Sequence, residues 1–233
     1  MAFFDPREAV LVPSVLHLPA VDALHLRPEA LRARFLAPPP WEVETEVERW
    51  LKAAEPTPAS VLVPLVIRPT HPDEPSVLLT LRTLHLKAHA GQVSFPGGRQ
   101  ETFDADVVAT ALREAEEEVG LPPERVEVIG QLPPYITGTG FVVTPVVGLI
   151  QAAPHESLSL DLKPDPGEVA AVFEVPLSFL MNPANHQLRT MSLGEADMSF
   201  FAMPWRDPGL DEEYFIWGAT ASMLRNLYRF LSA

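Results

Sequence analysis

Apolar positions along the chain fall into short β-type runs and a few helical stretches. Val61 to Arg68 and Val77 to Arg82 are continuous apolar runs rich in β-branched residues and flanked by turn formers, the pattern of strands. Pro69 to Pro75 reads as the turn between them, and Gln92 to Phe95 as a short strand entering a Gly97-Gly98 turn. Further strands are predicted near Val126 to Gln131, Phe141 to Ile150, Val169 to Glu174, Gln187 to Leu193, Ser199 to Pro204 and Tyr214 to Trp217. Helical spacing marks Pro28 to Leu36, Trp41 to Ala54, a short piece at Leu177 to Met181 and a closing helix at Ala219 to Leu231. Pro38-Pro39-Pro40 separates the first two, because proline cannot continue a helix.

The strongest helical signal lies between Asp104 and Gly120. Val108, Ala111, Leu112, Ala115 and Val119 form one apolar stripe, Asp104 reads as the N-cap, and Gly120 as the stop. Strands alternating with a few helices indicate an α/β fold with a mixed β-sheet and helices on both faces. Residues 1 to 57 read as an N-terminal helical extension, joined through Glu55-Pro56-Thr57-Pro58 to the main domain, 58 to 233.

Composition narrows the function. No apolar run among the 233 residues is long enough to span a bilayer, and the N-terminus lacks a secretory pattern. Zero cysteines exclude disulfides, thiolate metal sites and a cysteine nucleophile, and fit a cytoplasmic location. The net charge of −14 argues against nucleic acid as a partner. It would also repel an anionic small molecule, so such a substrate needs bound cations or a local basic patch. Arg82, Lys87 and Arg99 are the basic residues nearest in sequence to the Gly-Gly turn.

The same helix carries the candidate chemistry. Glu114, Glu117 and Glu118 stand at i, i+3 and i+4, so they share the face opposite the apolar stripe. Like charges this close repel, and a divalent cation with a taste for carboxylate oxygens relieves the repulsion. Arg113 sits beside them as a partner in place. Glu101 and Asp104 are early acids of the same segment, and His85 and His89 are spaced like a metal pair but lack a third ligand.

Arg113-Glu114-Ala115-Glu116-Glu117-Glu118-Val119-Gly120-Leu121 resembles the second half of the Nudix box, R-E-U-x-E-E-x-G-U with U apolar, at every defined position. The first half departs from the general box, with fourteen residues between Gly98 and Arg113 and with Glu101 and Asp104 as its early acids. Upstream, Leu78-Leu79-Thr80-Leu81-Arg82-Thr83, Lys87, Gly91 and Phe95-Pro96-Gly97-Gly98 resemble the extra motif of coenzyme A pyrophosphatases. Thr83 stands there for Ser or Ala, and Lys87 for Arg, which loses the bidentate fork.

The resemblance implies a Nudix α/β/α sandwich and Mg²⁺- or Mn²⁺-dependent hydrolysis of CoA to 3′,5′-ADP and 4′-phosphopantetheine. Oxidised CoA and acyl-CoA are further substrates in that reading. It implies metal ligation by Glu114 and Glu118, joined by the Gly98 carbonyl, with Glu117 on a second metal or on the water. Glu117 and Glu168 both remain candidates for the general base, Arg113 orients the carboxylates, and Arg82, Lys87 and Arg99 meet substrate phosphates. A small-molecule substrate, no membrane partner and a homodimer are family-level expectations. The rivals are another Nudix specificity, such as ADP-ribose or a nucleoside triphosphate, and a non-catalytic Nudix-like ligand-binding module.

Overall fold

The structure, a computed structural model, describes residues 5–13, 18–44, 56–86, 88–154, 160–193, 196–209 and 212–233. Its regular elements begin with β1 (Val10–Val12), α1 (Pro28–Leu36), β2 (Thr57–Arg68), β3 (His71–Arg82), β4 (Val93–Ser94) and β5 (Gly97–Arg99). They continue with α2 (Val107–Val119), β6 (Val126–Gln131), β7 (Tyr135–Ile136), β8 (Phe141–Gln151), β9 (Val169–Pro176) and α3 (Leu177–Leu180). The chain closes with β10 (Gln187–Leu193), β11 (Ala196–Arg206), β12 (Glu213–Trp217) and α4 (Gly218–Leu231).

The main sheet has the order β4-β3-β2-β8-β6, with β5 added to β2, β7 to β8 and β9 to β3. β2 and β8 run parallel, and the other ladders of this sheet are antiparallel. β2 and β8 are covered on both faces, which is why their sequences are continuously apolar instead of alternating. Their side chains still sort with period two. Leu62 and Val66 join Val146 and Ile150 against α2, while Val63, Leu65 and Ile67 join Val147 and Leu149 in the larger core. That larger core also takes Leu31 of α1, Phe201 and Met203 of β11, and Leu224, Leu227 and Tyr228 of α4. Helices therefore flank a mixed sheet on both sides, the α/β/α sandwich expected. A second, antiparallel sheet runs β1-β10-β11-β12.

α2 forms as its pattern predicts. Ala111, Ala115 and Val119 are fully buried, with Val108 and Leu112 packed beside them. Gly120 closes the helix at φ +69°, where its N–H donates to Glu116 O at 2.9 Å. The N-cap is Asp106, whose side chain accepts from the Ala109 N–H at 2.8 Å. Asp104, the expected cap, is drawn instead to a guanidinium.

A polar chain ties the far side together. His186 Nε2–H donates to Leu180 O at 2.6 Å, and its Nδ1 accepts from Arg225 Nη1 at 3.1 Å. Arg225 Nε donates to Glu44 at 2.8 Å, and its guanidinium lies over the Phe201 and Tyr228 rings. Burial first, and then the Arg225 charge, lowers the His186 pKa to about 4.

Three expectations change. The turn after β2 is confined to Pro69 and Thr70, and β3 starts at His71. Pro72 and Pro75 fall within β3 but before the stretch that pairs with β9, where a missing N–H costs least. Trp41 to Glu44 is not helical, and the remainder of the helix expected up to Ala54 lies outside the described residues. Val10–Val12 adds a strand that no local pattern announced. Among the described residues, no helix is long and apolar enough to cross a membrane.

Candidate active site

β5 pairs antiparallel with β2, setting Gly98 opposite Ser60 and laying the Gly-Gly turn against the acidic face of α2. Both glycines allow a close approach, Gly97 to backbone and Gly98 to a side chain. A Cβ on Gly97 would strike the Ser60 carbonyl and the Val61 backbone, and a Cβ on Gly98 would strike the Glu114 carboxylate. The backbone of the turn and Glu114 are thus in direct contact.

Arg113 organises the acids. Its Nε and Nη2 each donate to Asp104 at 2.9 Å, in the two-pronged geometry that guanidinium and carboxylate favour. Nη1 reaches Glu114 at 2.7 Å and Glu117 at 2.9 Å, and Nη2 also reaches Arg99 O at 3.1 Å. Asp104 additionally accepts from the Glu101 N–H and the Thr110 hydroxyl. The Arg113 hydrogen bonds hold Asp104 far below the usual carboxylate range, and Asp104 in turn raises Arg113. Asp104 is the site residue whose role the sequence concealed, since an aspartate at the head of a helix reads first as a cap.

Glu118 is 5% exposed. It accepts from the Gly97 N–H at 3.2 Å and from Arg82 Nη1 at 3.3 Å. Burial pushes its pKa up to about 7, opposed by those two donors and assisted by the charges of Glu168 and Glu114. Burial also raises Glu114. Glu117 is the exposed member of the trio.

Glu168 arrives from a distant loop that hangs on the end of α2. The Lys163 N–H donates to Val119 O and the Asp165 N–H to Glu118 O, and the Thr83 N–H donates to Glu168 O at 2.9 Å. This pins Glu168 beside Arg82, with a 3.9 Å ion pair. Arg82 thereby stands between Glu118 and Glu168. Arg99 is exposed at the mouth of a neighbouring cavity, and Lys87 lies outside the described residues. His85 contacts Gly167 O and His89 contacts Gln92, so they do not come together as a metal pair.

These residues fit a divalent cation. Glu114 and Glu118 face one glycine turn, burial raises the pKa of both, and their charges repel each other and Glu168. Among the described residues no three acidic or imidazole groups close into a cage. An open carboxylate face suits Mg²⁺ or Mn²⁺, which keeps waters and substrate phosphate oxygens among its ligands.

The NUDIX domain model matches residues 56–192. A protein of Escherichia coli O1:K1 / APEC named "Uncharacterized Nudix hydrolase NudL" is 45% identical over 170 residues, 72% of this chain and 80% of that protein. The protein of that name in Shigella boydii serotype 18 matches to the same extent. A crystal structure of a Nudix hydrolase from M. smegmatis, RenU, aligns at 21% identity and a TM-score of 0.43, covering 59% of this chain and 80% of that one. From the box residues gathered on α2, the fold around them and the match over 56–192, this chain belongs to the Nudix hydrolase family.

Proposed function

We propose that this Nudix hydrolase cleaves the diphosphate of coenzyme A and its derivatives, giving 3′,5′-ADP and 4′-phosphopantetheine. The observation that carries the reading is the place of Arg82. It belongs to the upstream motif, Leu78 to Gly98, yet its guanidinium contacts Glu118 of the box and Glu168 of the distant loop. The upstream motif and the box are therefore parts of one site.

Glu114, Glu118 and the Gly98 carbonyl would hold the divalent cation, with Glu117 free to hold a second. When bound, the cation supplies Lewis acidity toward the phosphates and a lowered pKa for the attacking water. Glu117 and Glu168 are the two candidates to accept the water's proton. Arg113 fixes the directions of Glu114 and Glu117. Arg82, Arg99 and Lys87 provide positive charge for the phosphates, offsetting the repulsion of a chain with net charge −14.

A different nucleoside diphosphate derivative, such as ADP-ribose, is the alternative substrate. A non-catalytic role is disfavoured because all three box glutamates and their Arg113 clamp are intact. The test is product chromatography after incubation with CoA, ADP-ribose and ATP, with and without Mn²⁺. Metal-dependent 3′,5′-ADP from CoA, abolished in Glu118→Gln, is expected. Turnover of ADP-ribose without CoA would retain the chemistry and remove the CoA assignment.

A further inference from the structure

Glu168 is carried to the site by the segment that leads into β9. Its carboxylate is 47% exposed and its ion pair with Arg82 is long, at 3.9 Å, so its own contacts hold it loosely. The backbone does the aiming instead. In the peptide before its Cα, the Glu168 N–H donates to Asp165 O at 3.0 Å. The carbonyl of that peptide, Gly167 O, accepts from Thr83 Oγ1 at 3.2 Å and from His85 Nε2–H at 3.1 Å. In the peptide after its Cα, the Glu168 carbonyl accepts from the Thr83 N–H at 2.9 Å, and the Val169 N–H donates to Asp165 O at 2.8 Å. Both peptide planes are pinned at both ends, which fixes the direction of the Glu168 Cα–Cβ bond.

Two side chains complete this frame. Thr83 is 7% exposed, and a buried hydroxyl needs a partner, which threonine commonly finds in its own turn. This one reaches a carbonyl 84 positions away. A carbonyl oxygen has two lone pairs, and Thr83 and His85 take both of those on Gly167. Their neighbour Arg82 contacts the carboxylates of Glu118 and Glu168. Asp165, which receives both amides, hangs in turn from the acidic helix, its N–H donating to Glu118 O at 2.9 Å. The segment 82–85 and α2 therefore grip one and the same turn, the turn that presents Glu168.

We propose that Thr83 and His85 are positioning residues for the hydrolysis: as a two-donor latch on the Gly167 carbonyl, they hold the Glu168 carboxylate in its working place beside Arg82 and the box acids. The proposal rests on the hydrolase reading for the use made of Glu168, and on the hydrogen bonds alone for the latch. Thr83 is the stronger half, because its loss leaves a buried acceptor short of a donor. His85 acts from an exposed position, where water competes for the same carbonyl, and its loss costs less. The Thr83 N–H bond to Glu168 O survives either side-chain change, so the turn loosens without leaving the site.

Thr83→Val keeps the shape of the side chain and removes the hydroxyl, Thr83→Ser restores the donor, and His85→Ala removes the second donor. Hydrogen exchange over 161–169, read by mass spectrometry on the protein without metal or substrate, should quicken about fivefold to tenfold in Thr83→Val and less in His85→Ala. Exchange in α2 and β2 should not change. With Mn²⁺ and whichever of CoA and ADP-ribose is turned over, kcat should fall about fivefold to tenfold in Thr83→Val, with KM within about twofold, and Thr83→Ser should recover it. In a Glu168→Gln background, Thr83→Val should cost nothing further, since the latch acts through that carboxylate. Unchanged exchange over 161–169 in both variants overturns the latch. A loss of kcat that persists in full on top of Glu168→Gln overturns it equally, because the hydroxyl would then serve some other group. Turnover of ADP-ribose without CoA removes the CoA assignment alone, and the same cycle run on ADP-ribose decides the latch.

Discussion

The contact between Asp104 and Arg113 carries more of the site than either residue's place in the sequence suggests. Asp104 is almost wholly buried, and both of its oxygens serve the guanidinium. In Asp104→Asn the guanidinium keeps Glu114 and Glu117 but loses its two-pronged charged partner, a loss of about 2 kcal/mol in stability by urea unfolding. Arg113, no longer anchored from behind, then holds Glu114 and Glu117 less firmly, so activity should fall as well. Gly98→Ala tests the neighbouring contact. Its methyl displaces the end of a flexible glutamate and not backbone. The protein should fold normally while Mn²⁺ affinity, read by electron paramagnetic resonance, drops tenfold or more. The trio Glu114, Glu117 and Glu118 was legible from spacing alone, because a helix converts i, i+3 and i+4 into one face. Asp104 was not, since its partner was a matter of tertiary direction, and the helix found another cap in Asp106 two residues on.

At the scale of elements, the His186–Arg225–Glu44 chain joins α4, the start of β10 and the segment after α1. Burial, and then the Arg225 charge that Nδ1 faces, disfavours the protonated form of His186 in the fold. Its folded pKa of about 4 lies below the ordinary value of 6.5. Between those values the unfolded chain takes up a proton that the folded chain refuses. Stability is therefore complete above pH 6.5 and is lost as pH falls, at about 1.4 kcal/mol per unit and by up to about 3 kcal/mol. Glu118, raised to about 7, changes stability in the opposite direction over the same range, so the decline is read as the difference in urea midpoints between pH 7 and pH 5 for the protein and for His186→Gln, which should lack it. The helices and strands of the main domain were readable because each carries its own pattern: continuous apolar runs rich in β-branched residues in β2 and β8, a period of 3.6 in α2. What eluded reading were features set from outside an element. Local turn chemistry at Pro69 to Pro75 suggested a long loop, but pairing with β2, Arg68 opposite His71, carries the strand back to His71. Three residues at Val10 have no period at all, and only β10 makes them a strand.

Across the whole molecule, a strongly acidic chain concentrates Arg82, Arg99 and Arg113 around its one glycine-glycine turn, with four acids, Glu114, Glu117, Glu118 and Glu168, opposite them. With Asp104 counted, the acids outnumber these three arginines, and a bound divalent cation would offset the excess. The second sheet has a different problem, that of its open side. β10 is a seven-residue strand whose outer edge would present unpaired N–H and C=O groups, and β1 covers part of that edge with Val10–Val12. In this light the short first strand is a guard against self-assembly, since three residues are too few to recruit another chain. Deletion of residues 1–13 should leave the box chemistry in place but turn the β10 edge into a template. Size-exclusion chromatography should then show concentration-dependent oligomers growing edge to edge, with the intact chain free of them.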